Sequence, residues 1–169
     1  MRRDIRYQYY VEGECEKKLL SELKITGAVL PGKINVYNIT QNELRQEHLR
    51  LLARNTVVIL IFDTDAGNLS ILEKNLSVLR RSPNVRDVWC VTQVRNLEEE
   101  LVRATDIREI KHLFGCRSNK DFKSVFLSEK RLMDKLFLHN FHFEKMWSSS
   151  PSGKYSRIMN DGVKIKQMR

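Results

Sequence analysis

Apolar and polar positions along the chain alternate between a strand pattern and a helical one, in that order, four times over about a hundred residues. Residues 5 to 11, Ile-Arg-Tyr-Gln-Tyr-Tyr-Val, are aromatic and β-branched and end at Glu12-Gly13, a strand followed by a tight turn. Residues 14 to 24 then carry Leu19, Leu20 and Leu23 among charged residues, as a short amphipathic helix does. A second strand is expected from Lys33 to Ile39, and a second helix from Asn42 to Arg54 with Leu44, Leu49, Leu51 and Leu52. Thr56 to Phe62 is continuously apolar and largely β-branched, the pattern of a central parallel strand covered on both faces. It ends in Asp63-Thr64-Asp65-Ala66-Gly67-Asn68, and Leu72, Leu76 and Leu79 mark a helix from 69 to 81 that Ser82-Pro83-Asn84 stops. Val85 to Val94 supplies a fourth strand, and Asn96-Leu97-Glu98-Glu99-Glu100-Leu101 opens another helix.

Four strand–helix units call for a Rossmann-like α/β fold: a four-stranded parallel sheet flanked by helices, with right-handed crossovers. Residues 1–105 are expected to form this domain. Residues 106–147 hold helix-compatible patches, Ile107 to Phe114 and Phe122 to Phe143, and are expected as a helical C-terminal extension. Ser148-Ser149-Ser150-Pro151-Ser152-Gly153 then introduces residues 148–169 as a flexible basic tail.

A length of 169 residues suits one main domain. The formal charge of +9 favours polyanionic partners, nucleic acid above all. Cys15, Cys90 and Cys116 are odd in number and lack CxxC spacing, which argues against a disulfide framework or zinc knuckle and for reduced thiols in the cytoplasm. The N-terminus lacks a signal h-region, and no run approaches the roughly 20 apolar residues that cross a bilayer, so no membrane association is expected.

The acidic residues cluster where the chemistry of such folds lies. Glu12 with Glu14 and Glu16, Asp63 with Asp65, and Glu98 with its neighbours follow the carboxyl ends of predicted strands, the edge at which open parallel sheets bind ligands. Crowded carboxylates repel one another unless a cation neutralises them, and an all-oxygen set without His or Cys favours a hard cation such as Mg²⁺, Mn²⁺ or Ca²⁺ over zinc. Each locus taken singly is also what a helix start looks like, as an N-cap or a complement to the helix dipole.

Val11-Glu12-Gly13, followed about fifty positions later by Ile61-Phe62-Asp63-Thr64-Asp65, resembles the Toprim domain of topoisomerases, bacterial primases, OLD-family nucleases and RloB-like proteins. The likeness covers roughly residues 5 to 105. It implies that Glu12 serves in acid/base chemistry or metal binding and that Asp63 and Asp65 coordinate Mg²⁺ or Mn²⁺. Glu16 matches an acidic residue that OLD-type nucleases carry four positions after the first glutamate, and Asn96-Leu97-Glu98 resembles a later element in which Ser is usual where Asn96 stands. By this resemblance Glu12, Asp63 and Asp65 share one ion, Glu16 and Glu98 help to hold a second, and Lys154 corresponds to a late lysine able to stabilise a charged phosphate.

The function so implied is a metal-dependent nuclease acting on DNA or RNA, as an effector of bacterial phage defence or a mobile element. OLD nucleases usually carry an ATPase, and no Gly-x-x-x-x-Gly-Lys-Ser/Thr loop is present, so any ATPase must come from a separate chain. Two alternatives stand beside it: a non-catalytic Toprim-like protein binding nucleic acid or a partner, and a phosphotransferase or phosphatase of another doubly wound fold with Asp63 as phospho-acceptor. The glutamate after the first strand favours the nuclease over the phospho-aspartyl enzyme. Arg45, Arg50, Arg80, Arg81, Arg95 and Arg103 are candidates to follow a nucleic-acid backbone. His139 and His142, in an aromatic segment with Phe137, Phe141 and Phe143, suit packing or a homodimer interface better than a metal.

Overall fold

The computed structural model describes residues 4–167. Its centre is the apolar run read above as a buried strand, β3 (Thr56–Asp63), in which Val58, Ile59, Leu60 and Phe62 have no exposed surface. With no water on either face to satisfy its peptide groups, β3 pairs on both sides, with β1 (Arg6–Val11) and β4 (Val85–Gln93), and β2 (Lys33–Val36) adds to the far side of β1. All three pairings are parallel and the order is β2-β1-β3-β4. The expected four-stranded parallel α/β sheet is therefore found.

Successive side chains of a strand point to opposite faces, and two cores result. On one face Val57, Ile59, Ile61 and Val91 pack against α1 (Glu14–Ile25), α4 (Leu97–Ala104) and the C-terminal half of the chain through Phe122, Phe126, Leu136 and Trp147. On the other, Val58, Leu60, Phe62 and Val88 meet α3 (Leu69–Arg81), Ile39, Leu49 and Tyr155. The chain leaves β1 toward β2 and returns past β1 to β3 and β4, so its direction of progress reverses between β1 and β3. That reversal is the topological switch point, where the loops leaving two adjacent strands diverge and open a crevice.

The second beat is shorter than its hydrophobic spacing predicts: β2 stops at Val36 and α2 spans Gln46–Arg50. Asn75 of α3, buried, accounts for the intervening chain. Its Oδ1 accepts from the Leu44 N–H (2.7 Å) and its Nδ2 donates to the carbonyls of Ile39 (2.7 Å) and Asn42 (2.9 Å), holding 39–44 as a loop. The patch from Phe122 to Phe143 is likewise two helices, α5 (Phe122–Ser128) and α6 (Leu132–Leu138). Lys18 of α1 caps α5 at the Leu127 (2.8 Å) and Glu129 carbonyls, and the Glu129 side chain accepts from the Arg131 N–H (2.8 Å).

Residues 148–167, expected as a flexible tail, are packed, and 168–169 lie outside the described residues. Tyr155 and Ile165 are fully buried. The segment also covers the outer edge of β4: the Asp161 N–H donates to Cys90 O (2.6 Å), Asp161 Oδ2 accepts from the Cys90 N–H (3.0 Å), and Asn160 Oδ1 from that of Thr92 (3.3 Å). An edge strand left bare would offer unpaired peptide groups, so this cover is structural. Residues 106–147 share the first core with the sheet rather than forming a separate body.

No helix among the described residues is long and apolar enough to cross a membrane. The packed C-terminal segment predicts a specific weakness. A Cβ on Gly162 would lie 2.0 Å from the Trp147 carbonyl oxygen, whereas one on Gly153 meets nothing within 4 Å and is strained only by its φ of +62°. Gly162→Ala is expected to cost about 2 kcal/mol, roughly 4–8 °C in Tm, and Gly153→Ala about half as much. Thermal melts of the two variants check this; equal Tm values would mean that 148–167 does not hold to the body.

Candidate active site at the β1–β3 switch point

Glu12 follows the last residue of β1 and Asp63 ends β3, so both sit where the sheet reverses direction. Glu12 Oε1 accepts a hydrogen bond from Thr40 Oγ1 (3.1 Å), and its carboxylate also receives the Asp63 N–H. Asp63 Oδ1 accepts from Gln93 Nε2 at 2.6 Å. All three donors are neutral. Among the described residues none of Glu12, Glu16, Asp63 and Asp65 takes part in an ion pair.

The titration of the pair reflects that lack. Burial, opposed by the hydrogen bonds from Thr40 and Asp63 and helped by repulsion from Glu16 and Asp65, pushes Glu12 up to about 7. Burial and then the charge of Glu12 push Asp63 up to about 8, against the Gln93 hydrogen bond. Two desolvated carboxyls side by side resist ionising together unless a positive charge joins them.

The remaining predicted residues are distributed around this pair. Asp65 is exposed on the loop after β3, which is tied down through its backbone: the Thr64 N–H donates to Gln93 O (3.1 Å) and Arg95 O (3.0 Å), and the Asp65 N–H to Arg95 O (3.1 Å). Asn96 caps α4 through its Oδ1, which accepts from the Glu99 N–H (3.0 Å), and donates with Nδ2 to Asp65 Oδ2 (2.9 Å). Glu16, on the first turn of α1, accepts from Gln93 Nε2 at 3.3 Å. Glu98 lies 3.8 Å from Lys123 Nζ and lines with Glu16 a small pocket of about 180 Å³. Lys154 reaches the same loop from the C-terminal segment, its Nζ donating to Gly67 O at 2.7 Å.

The carboxylates are thus coupled without forming a finished ligand shell. Among the described residues no three His, Cys, Asp or Glu side chains are grouped closely enough to hold a metal ion. Strand alternation contributes to the spacing: Asp63 continues the face of Ile59 and Ile61, and Glu12 that of Tyr10, on which Thr40 and Tyr155 also lie. Charge repulsion bridges the two sides, but each carboxylate is held by its own neutral partner.

Four contributors are not marked by any motif: Gln93, Thr40, Trp147 and Tyr155. Tyr155 donates to Ala66 O (2.8 Å) and packs its ring on Phe62 (centroids 5.7 Å apart), so it buttresses the 63–67 loop from below. Gly67, with φ +77°, admits Thr40, whose Oγ1 would lie 2.2 Å from a Cβ there. A polar Thr92-Gln93 pair closing an otherwise apolar strand is the one signal the sequence offers for Gln93. No protein-family model matches this chain, and no curated protein or solved structure does either.

Raised carboxyl pKa values mean that the folded state binds protons the unfolded state has released. Stability from Glu12 and Asp63 is therefore complete below about pH 4 and is lost as pH rises through about 7 to 8. In EDTA the Tm is expected to fall between pH 5 and pH 8.5. Asp63→Asn keeps the acceptor for Gln93 and removes one charge. It should match wild type near pH 4 and exceed it at pH 8.5 by on the order of 2 kcal/mol, about 4–8 °C. A pH-independent gap between the two proteins would contradict the coupling.

Proposed function

We propose that this protein is a Toprim-type nuclease that hydrolyses phosphodiester bonds in DNA or RNA with Mg²⁺ or Mn²⁺. The observation that carries this reading is the pair of half-buried, unneutralised carboxyls, Glu12 and Asp63, set at adjacent strand ends beside Glu16 and Asp65. The donor set is all oxygen and its charge is uncompensated by the protein, which fits a hard divalent cation. Asp63, Asp65 and Glu12, which would have to draw closer together than they stand here, would hold one ion, with Glu16 and Glu98 available to a second. Such an ion supplies Lewis acidity toward a phosphoryl oxygen and acidity for an attacking water.

The chain's own residues do the rest. The backbone ties of Thr64 and Asp65 to Arg95 fix the Asp63–Asp65 loop before substrate arrives, which lowers the cost of organising the transition state. Glu12, in hydrogen-bond contact with Thr40, is placed to take up or return a proton. Lys154 spends one of its three N–H donors on Gly67 O and presents the others, the cation for a developing phosphate charge. Along α3 two open grooves of about 490 and 670 Å³ meet at Arg81; Arg50 lines one, and Arg80 and Arg157 the other, beside Glu73 and the Lys164–Asp161 ion pair. That basic track suits a nucleic-acid backbone read without sequence preference.

The test is cleavage of plasmid, linear and single-stranded DNA and transfer RNA in Mg²⁺ or Mn²⁺. Wild type is expected to cut at least one substrate and EDTA to stop it. Glu12→Gln and Asp63→Asn, folded, should each lose roughly 100-fold or more. Mn²⁺ at a large excess over its Kd should also raise the wild-type Tm at pH 8 by several degrees, a gain of about 2.7 kcal/mol at 100 times Kd, and leave Asp63→Asn nearly unmoved. Wild type that neither cuts nor gains stability from metal, with or without a partner ATPase, makes the protein a binding module.

A further inference from the structure

Gln93, the last residue of β4, has no exposed surface, and both ends of its amide are engaged. The indole N–H of Trp147 donates to Gln93 Oε1 at 3.2 Å, while Gln93 Nε2 donates to Asp63 Oδ1 at 2.6 Å and to Glu16 Oε1 at 3.3 Å. An indole nitrogen has a proton and no acceptor, so it decides which end of the amide faces it. The NH₂ group is left facing the carboxylates.

Trp147 is itself held. It is 1% exposed, and its main-chain N–H donates to Oε2 of the buried Glu100 (2.8 Å), whose Oε1 accepts from the Val94 N–H (2.9 Å) and Arg103 Nη2 (2.6 Å). An unbroken set of buried and part-buried hydrogen bonds therefore runs from α4 through Trp147 to two acidic side chains on β3 and α1. A lysine or arginine at position 93 could also bridge Asp63 and Glu16, but its charge would satisfy the negative potential that a cation is needed for. The amide joins the two carboxylates and leaves that potential intact.

We infer that Gln93 is a positioning residue of the carboxylate site, which holds Asp63 beside Glu16 in an orientation that Trp147 imposes from the C-terminal half of the chain. This rests on the metal-dependent reading above. Groups that orient the ligands of a metal are commonly worth 10–100-fold in affinity. Gln93→Met keeps the length and removes both donors, and should raise the Mn²⁺ midpoint about tenfold by calorimetry. Trp147→Phe keeps an aromatic ring in the core, though a smaller one, and removes the N–H, and should shift the midpoint the same way by less. Trp89→Phe leaves Trp147 the only tryptophan, and its emission should then change saturably with the calorimetric midpoint.

Binding is read well below each variant's Tm, so a general loss of stability does not move the midpoint. If Gln93→Met does not fold, Trp147→Phe and the Trp147 emission decide the matter. Wild type that binds Mn²⁺ while the folded variants keep its midpoint, or while Trp147 emission stays constant, overturns the positioning role and spares the metal reading. Wild type that binds no Mn²⁺ overturns both.

Discussion

β3 imposes the conditions under which the rest of the chain is arranged. Seven of its residues lie without water on either face, so two separate layers must cover it and a strand must pair with each edge. One layer comes from α3 and the 37–52 segment; α1 and α4 alone form only part of the other, which is completed by Phe122, Phe126, Leu136 and Trp147 from the C-terminal half. The C-terminal region is thereby part of the fold rather than an appendage. Because it reaches the top of the sheet, it also reaches the site: Trp147 lies against Gln93 on one face and Tyr155 under the 63–67 loop on the other.

The same strand delivers a carboxylate to the boundary of its own apolar core. Asp63 is desolvated by the packing that stabilises β3, and Glu12 by the adjacent end of β1, so their ionisation is opposed by the fold itself. Neutral donors, Thr40, Gln93 and Asn96, each engage one carboxylate oxygen of Glu12, Asp63 and Asp65 while leaving the charge in place. Some carboxylates elsewhere are neutralised: Glu100 by Arg103, Asp161 by Lys164, Asp134 by Arg131. The contrast between Glu100, fully buried and paired with a cation, and Glu12 and Asp63, desolvated without one, is what marks the strand edge as a site, more than any single residue in it.

Local periodicity carried the strands, α1, α3 and the start of α4, because those elements bury a regular face and the regularity is written in adjacent residues. Features that depend on a distant partner were not legible. The break at 39–44 is made by Asn75, thirty-odd positions away, and the division between α5 and α6 is reinforced by Lys18. The serine-rich 148–153 stretch has a linker's composition, yet Asn160 and Asp161 pair with β4 and Tyr155 is buried, contacts that composition does not encode. Within the site the acidic residues could be named because strand ends attract ligands in parallel sheets. Gln93 and Thr40 could not, since a lone amide or hydroxyl acquires its meaning only from the carboxylate it faces.

The acidic edge sits in a chain of formal charge +9. A polyanion is drawn toward such a protein as a whole and repelled over its last few ångströms by the unpaired carboxylates. On the proposed reading these two effects have a physical consequence: a divalent cation that settles among Glu12, Asp63 and Asp65 removes the repulsion, and a phosphate that arrives adds negative charge that holds the cation. Each therefore raises the affinity of the other by the same factor, as linkage requires. The basic groove along α3 can then gather nucleic acid without metal, while close approach of a phosphate to Asp63 waits for it. On that reading binding and chemistry would be separated because, among the described residues, no positive side chain pairs with Glu12 or Asp63.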